Sequence, residues 1–210
     1  MTAKEKRGSR IFKSQFLETL TYTNMTIHLL WYLFMSVTMV CLGYYFYQSS
    51  VYLIILSFLA GILSWSFIEY LMHRFFFHVI LDSKLLRKIY YALHGVHHDY
   101  PLDEKRTLMP PLPGLIFALI YLGIFYLILG HIAFYFVGGV AIGYLTYSSL
   151  HHAIHLYKAP KILQKLWTHH LLHHYQEPDK AFGVTSTLWD RIFMTMPKGS
   201  ASKKTSSSQF

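Results

Sequence analysis

Two stretches of this chain contain no Asp, Glu, Lys or Arg: residues 19–68 and residues 107–157. Each is about 50 residues long, whereas a helix needs roughly 20 mostly apolar residues to cross the hydrocarbon core of a bilayer. Each stretch therefore has room for two crossings and a tight turn. The first pair is expected near Thr26–Phe46 and Val51–Tyr70, turning over residues 47–50. The second is expected near Leu112–Leu129 and Ala133–Leu150, turning around Gly130 and His131, with Gly138-Gly139 as an alternative turn. With 53% hydrophobic and 18% aromatic residues in 210, a soluble domain could not hide its apolar surface.

The charges sharpen this picture. All 19 lysines and arginines fall in the three segments outside those stretches. Four crossings would bring the three segments to one face, and the positive-inside bias makes that face cytoplasmic, with both termini on it. The net charge of +9 thus points to a membrane surface rather than to nucleic acid. The N-terminus lacks a secretory cleavage pattern. Its segment Ile11–Leu20, which contains Lys13 and Glu18, is expected to lie on the membrane surface as a short amphipathic lead-in. Residues 1–197 are expected to form one membrane-embedded domain, and the Ser/Lys-rich tail 198–210 to be disordered. Cys41 is the only cysteine, so a disulfide within the chain and a cysteine-based zinc site are both excluded.

Histidine is the unusual residue. Four clusters stand at or beyond the cytoplasmic helix ends: HRFFFH (73–78), HGVHH (94–98), HHAIH (151–155) and HHLLHH (169–174). None falls at the bilayer midplane, where a transport path would place polar groups. Residues three and four apart share a helix face. His94, His97 and His98 should therefore point one way, as should His170, His173 and His174, and His151 with His155. His73 and His78 are five apart, about 140° around an ideal helix. They would serve two ions, or the helix must loosen between them. These ten histidines are too many for one ion and suit two, and imidazole suits zinc, copper, iron and nickel. A single HxxHH reads equally well as a polar helix face, but four clusters on one side favour a dinuclear centre.

His28 and His131 stand alone in apolar surroundings, and His152 and His169 face away from their clusters, so none of the four is expected to be a ligand. Ligand histidines need partners for their outer ring nitrogens. Glu69, four residues before His73, is the first candidate, although it also reads as a helix-end carboxylate facing water; Asp103 and Asp190 are further candidates. Phe75–Phe77 and Trp189 fit either an acyl slot or interfacial anchors. The two histidine-bearing halves echo each other: each follows a hairpin and each contains HxxHH.

The order of the four clusters, with HGVHHDYPLDEKRTLMPPLP and HHYQEPDKAFGVTSTLWD around them, resembles the fatty acid hydroxylase superfamily of membrane di-metal oxygenases. The likeness runs from about Phe67 to Phe193 and is nearest to the fatty acid 2-hydroxylases. It implies an all-α integral membrane fold, with four transmembrane helices in two hairpins and a cytoplasmic helical cap holding a histidine-rich dinuclear site. It also implies two metal ions, iron in function although zinc can occupy such sites, and insertion of one oxygen of O2 at C2 of a long fatty acyl chain. Carried over residue by residue, the ligands would be His73, His78, His94, His97, His98, His151, His155, His170, His173 and His174, the set that spacing selects.

An unactivated C–H bond calls for a redox metal, which Zn2+ is not. Only about 25 residues precede the first expected crossing, so no cytochrome b5 domain is expected. Electrons would come from a separate donor such as cytochrome b5 or a ferredoxin with its reductase. The lipid tail is expected in a groove between membrane helices and cap, with Arg74 or Arg106 holding a carboxylate or amide. The membrane would be a bacterial inner membrane or the endoplasmic reticulum. Rival readings are a hydroxylase of a sterol or other lipid, a desaturase, and a non-catalytic zinc-binding membrane protein.

Overall fold

A computed structural model describes residues 10–78 and 83–200 of the chain. Among these residues there are helices and no strands. The long elements are α2 (Met25–Tyr47), α3 (Val51–Leu71), α6 (Pro111–Leu129) and α7 (Ala133–Leu156). The shorter ones are α1 (Gln15–Thr19), α4 (Lys84–Tyr90), α5 (Val96–Asp99), α8 (Gln164–Tyr175) and α9 (Leu188–Ile192). Three apolar helical segments, 25–47, 51–77 and 111–156, are long and apolar enough to cross a membrane. The third is divided into α6 and α7 by a 3-10 turn at Gly130–Ile132.

Local chemistry sets the ends of these elements. The Asn24 side chain caps α2 by accepting from the Ile27 N–H at 2.9 Å, and Ser50 caps α3 through the Leu53 N–H. Between them Gln48 takes up the left-handed conformation (φ 45°) that ends α2. α6 starts on Pro111, where a missing N–H costs nothing, and ends at Gly130 (φ 60°). Gly138-Gly139, the alternative turn, lies inside α7.

α7 is the hub. It is buried along most of its length, whereas α6 buries only Gly114 and Ala118. Lipid tails are as apolar as leucine, so helices in a bilayer are held by close packing rather than by the hydrophobic effect. Here α3 and α7 meet through glycines in a reciprocal contact. A Cβ on Gly61 would strike the Phe136 carbonyl, and one on Gly139 would strike the Phe58 carbonyl. Ser36 of α2 adds a hydrogen bond to the Gly138 carbonyl at 2.8 Å. The outward faces remain apolar and exposed, as at Leu30, Phe34 and Val37 on α2, Leu63 on α3 and Leu127 on α6. An apolar surface of this extent suits hydrocarbon, not water.

The N-terminal segment is less helical than expected. The helical part is only one short turn, and Glu18 is drawn inward while Phe16 and Leu17 stay exposed. Glu18 accepts from the Ile11 and Phe12 N–H groups, the Tyr22 hydroxyl and, at 2.6 Å, the Arg106 guanidinium. Arg106 also hydrogen-bonds Tyr22 and lies 3.7 Å from Asp103. Two charges this deeply buried persist only as a hydrogen-bonded pair. The tail beyond 200 and residues 79–82 lie outside the described residues.

Candidate metal centre

Below Leu71 the third helix winds on as a π-helix over Met72–Phe77, in which backbone bonds run from i to i+5. Five residues then complete about one turn, so His73 and His78 come to the same side, with ring centroids 5.1 Å apart. A second π-helix, Tyr91–Gly95, brings in His94. α5 supplies His97 and His98, α7 supplies His151 and His155, and α8 supplies His170, His173 and His174.

The ten histidines gather as two groups of five. His73, His78, His94, His98 and His173 form one; His97, His151, His155, His170 and His174 form the other. Within each group, one ring nitrogen per residue lies within 4.8 Å of all the others. The expectation that each HxxHH triplet points one way is corrected here. Residues i and i+4 share a group, while the middle one crosses to the other: His97 leaves His94 and His98, and His173 leaves His170 and His174. Each group thus takes a pair from the end of a long helix, a pair from one HxxHH and a single histidine from the other HxxHH.

The histidines are mostly buried, and burial dominates their titration. His94, His97 and His170 are pushed well below the ordinary imidazole range by desolvation and then by one another. The same causes take His98 down to about 2, and burial, followed by His78, takes His173 to about 3. These rings are neutral and offer lone pairs.

Where the lone pairs point can be read from the outer nitrogens. Nδ1 of His73 meets the Phe182 carbonyl at 2.6 Å, Nδ1 of His173 the Lys180 carbonyl at 2.7 Å, and Nδ1 of His151 the Thr107 carbonyl at 3.3 Å. A carbonyl can only accept, so each Nδ1 carries the proton and each Nε2 turns a bare lone pair inward. Those three Nε2 atoms are buried and have no hydrogen-bond partner among the described residues. Other Nε2 atoms converge on each other: His94 with His98 at 2.9 Å, His97 with His155 at 3.1 Å, and His155 with His170 at 3.0 Å. Ligands about 2.1 Å from a shared ion at right angles stand about 3 Å apart. Buried, convergent, unprotonated nitrogens are costly on their own; as a donor set they fit two metal ions.

The expected carboxylates act one step further out. Glu69 does not reach a histidine ring. Its Oε1 accepts from the N–H groups of Val184 and Thr185, and its Oε2 from the Thr185 hydroxyl at 2.6 Å. Asp190 accepts from Phe182 N–H at 3.0 Å, Gly183 N–H at 2.8 Å, the Thr195 hydroxyl at 2.7 Å and His169 Nε2 at 3.0 Å. Together they pin the loop whose Lys180 and Phe182 carbonyls orient His173 and His73. Asp103 instead faces Arg106. Those carbonyls, and that of Thr107, are what sequence reasoning missed, since a backbone carbonyl has no residue signature.

The four histidines set aside have other partners. His28 bridges the Met109 carbonyl and the Ser148 hydroxyl; His131 stacks on Tyr47; His152 meets Thr107 Oγ1; and His169 donates to Asp190. Of the expected slot aromatics, Phe77 stacks on His94 with centroids 4.9 Å apart. Phe75 is exposed, Phe76 packs on Tyr90 and Phe117, and Trp189 hydrogen-bonds Ser66 and packs on Phe67.

Long apolar helices with a double cluster of inward-facing imidazoles at their ends define a histidine-rich membrane protein able to hold a pair of metals. The chain belongs to the fatty acid hydroxylase family, whose model matches residues 58–195. It is 35% identical over 197 residues to the ceramide very long chain fatty acid hydroxylase scs7 of Schizosaccharomyces pombe, covering 90% of this chain and 55% of that protein. It is 34% identical over 208 residues to the dihydroceramide fatty acyl 2-hydroxylase FAH1 of Arabidopsis thaliana, covering 95% of this chain and 84% of that one. The human fatty acid 2-hydroxylase is 36% identical over 148 residues, 66% of this chain and 39% of that protein. A solved structure of full-length scs7p, with only its hydroxylase domain visible, superposes with a TM-score of 0.78 at 31% identity, over 87% of this chain and 70% of that one.

Proposed function

We propose that this chain is a membrane di-metal oxygenase that hydroxylates a long-chain fatty acyl group at C2, using O2 and electrons from a separate protein donor. The reading rests on one observation above the others: ten neutral imidazoles present lone pairs to two closed sets of five, in a chain of the fatty acid hydroxylase family. Its relatives are described as fatty acid or fatty acyl 2-hydroxylases and ceramide hydroxylases.

In this reading His73, His78, His94, His98 and His173 hold one ion, and His97, His151, His155, His170 and His174 the other. The ions are iron, which supplies the redox chemistry a C–H bond requires and zinc lacks. The overall change consumes a C–H bond, O2, two electrons and two protons, and yields an alcohol and water. The chain's own residues hold the rings rather than react. The Lys180, Phe182 and Thr107 carbonyls keep His173, His73 and His151 protonated on Nδ1, and so free on Nε2. Arg106 is engaged with Glu18, which leaves Arg74 as the candidate for the lipid's polar head. Arg74 is held by the Tyr70 hydroxyl at 2.7 Å, and it borders a surface hollow with His78, Asp179 and Phe182.

The topology we infer has four crossings, with the metal centre and both termini on the cytoplasmic side. It rests on the distribution of the 19 cations. The test is mass spectrometry of total fatty acids from cells expressing the chain with iron, O2 and a competent reductase, beside a His174→Ala control. New 2-hydroxy acids that vanish in the control support the reading. Products lighter by two hydrogens would reassign the chain as a desaturase, and no new product would overturn the reading.

A further inference from the structure

Beneath the histidines, α2, α3, α6 and α7 border a partly open cavity whose lining is apolar apart from Glu69. Its upper lining includes Phe77 and Tyr147. Phe77 stacks on His94, from the first histidine group, and Tyr147 stacks on His151, from the second, with centroids 4.9 and 5.6 Å apart. The top of the cavity therefore touches both halves of the metal centre. Its deepest lining is Met35 on α2 and Val137 on α7, both buried. Val137 precedes His151 by 14 positions in one unbroken helix, which at the α-helical rise is about 21 Å. Ala141 lines the same wall ten positions before His151, at about 15 Å.

We propose that this cavity is a measuring slot for the acyl chain, with Met35 and Val137 as its floor and the bore at Ala141 deciding whether a long chain can reach that floor. The inference rests on the C2-hydroxylase reading above. Three observations favour the acyl tail as occupant. The slot is apolar apart from Glu69, its top touches both halves of the metal centre, and from Tyr147 to Val137 it runs ten positions of one helix, about 15 Å, an elongated shape that an extended acyl chain can follow. C2 lies next to the polar head, so a chain whose C2 sits under Phe77 and Tyr147 must send nearly its whole tail one way. The slot is the apolar space that opens there. A chain shorter than the slot leaves part of the apolar wall without packing partners, and those contacts are forfeited. A longer chain must buckle or withdraw C2 from the metals. Selection by length follows from both penalties.

The experiment supplies an equimolar ladder of saturated fatty acids to membranes containing the full chain, its iron and its reductase, and reads the lengths of the 2-hydroxy products. Ala141→Phe should shift the most abundant product to chains shorter by several carbons. Met35→Ala and Val137→Ala should shift it to longer chains. Each variant's iron content and thermal stability are measured alongside, so that a variant that fails to fold is recognised and the other two carry the test. An unchanged length profile in variants that keep their iron would overturn the slot while leaving the 2-hydroxylase reading intact. A wild-type chain that yields no 2-hydroxy acid would overturn both.

Discussion

Replacing Asp190 with Asn should cost the protein a metal before it costs the fold. Asp190 is fully buried and accepts four hydrogen bonds, two at each oxygen. In the variant, the amide oxygen can keep the Phe182 N–H and the Thr195 hydroxyl, but the amide NH2 then stands where Oδ2 accepted from Gly183 and His169. His169 can change tautomer and accept instead of donate. The Gly183 N–H cannot, and a buried donor left without a partner costs about 1–3 kcal/mol. Turning the amide over only moves that loss to Phe182. The strain falls on the segment whose Lys180 and Phe182 carbonyls fix His173 and His73. Both rings belong to the first group and neither to the second. Loss of such outer partners typically weakens metal binding 10–100-fold, a range that 1–3 kcal/mol also spans. Metal per purified chain, followed by elemental analysis during titration with a chelator, should therefore show the ion of the first histidine group leaving at markedly lower chelator concentration than in wild type. An Asp190→Asn protein that releases both ions as wild type does would refute the relay from carboxylate to loop to histidine.

Three further outcomes are expected. Gly61→Ala places a methyl against the Phe136 carbonyl, so α3 and α7 must part; a loss of about 1–3 kcal/mol, as for overpacking, should appear as a lower midpoint in thermal unfolding in detergent. Burial alone would raise the Glu18 carboxyl, but hydrogen bonds from Phe12, Tyr22 and Ile11 and the Arg106 charge outweigh it and hold it below 4.5. Its contribution is thus complete above that value and fades as pH falls through the lower folded one, and an unfolding series in acid should show this loss in wild type but not in Glu18→Gln. In metal-free protein, His98 and His173 stay neutral down to about 2 and 3, whereas the unfolded chain takes up protons near 6.5. Stability should hold above that pH and fall by about 1.4 kcal/mol per pH unit for each such histidine below it, measured as unfolding midpoint against pH.

The backbone plan of the membrane part was legible because its physics is local. A run without charges has one low-energy place, and the length of hydrocarbon sets how it divides. The helices 25–47, 51–71, 111–129 and 133–156 accordingly begin and end close to the expected positions, apart from α7, which continues through His151 and His155. The supply of imidazoles was legible for a similar reason, since four clusters in a charge-poor chain stand out.

The sharing of those rings between two groups was decided only in three dimensions. On an isolated helix His94, His97 and His98 form one set. In the folded chain α5 runs between the two groups, so the ring at i+3 turns to one and the rings at i and i+4 to the other. The spacing of His73 and His78 left two answers, and the π-helix selects one. Glu69 and Asp190 were found as residues but not in their roles, because they bind a loop that is distant in sequence rather than the rings. The atoms that do hold His73, His173 and His151 are main-chain carbonyls, which every residue carries. By itself, then, the sequence determined which segments are apolar and long enough to cross a membrane and which side chains can ligate, since both follow from residue type and short-range period. The tertiary structure alone decided which rings meet and what orients them, since both depend on where separate segments of backbone come to rest against each other.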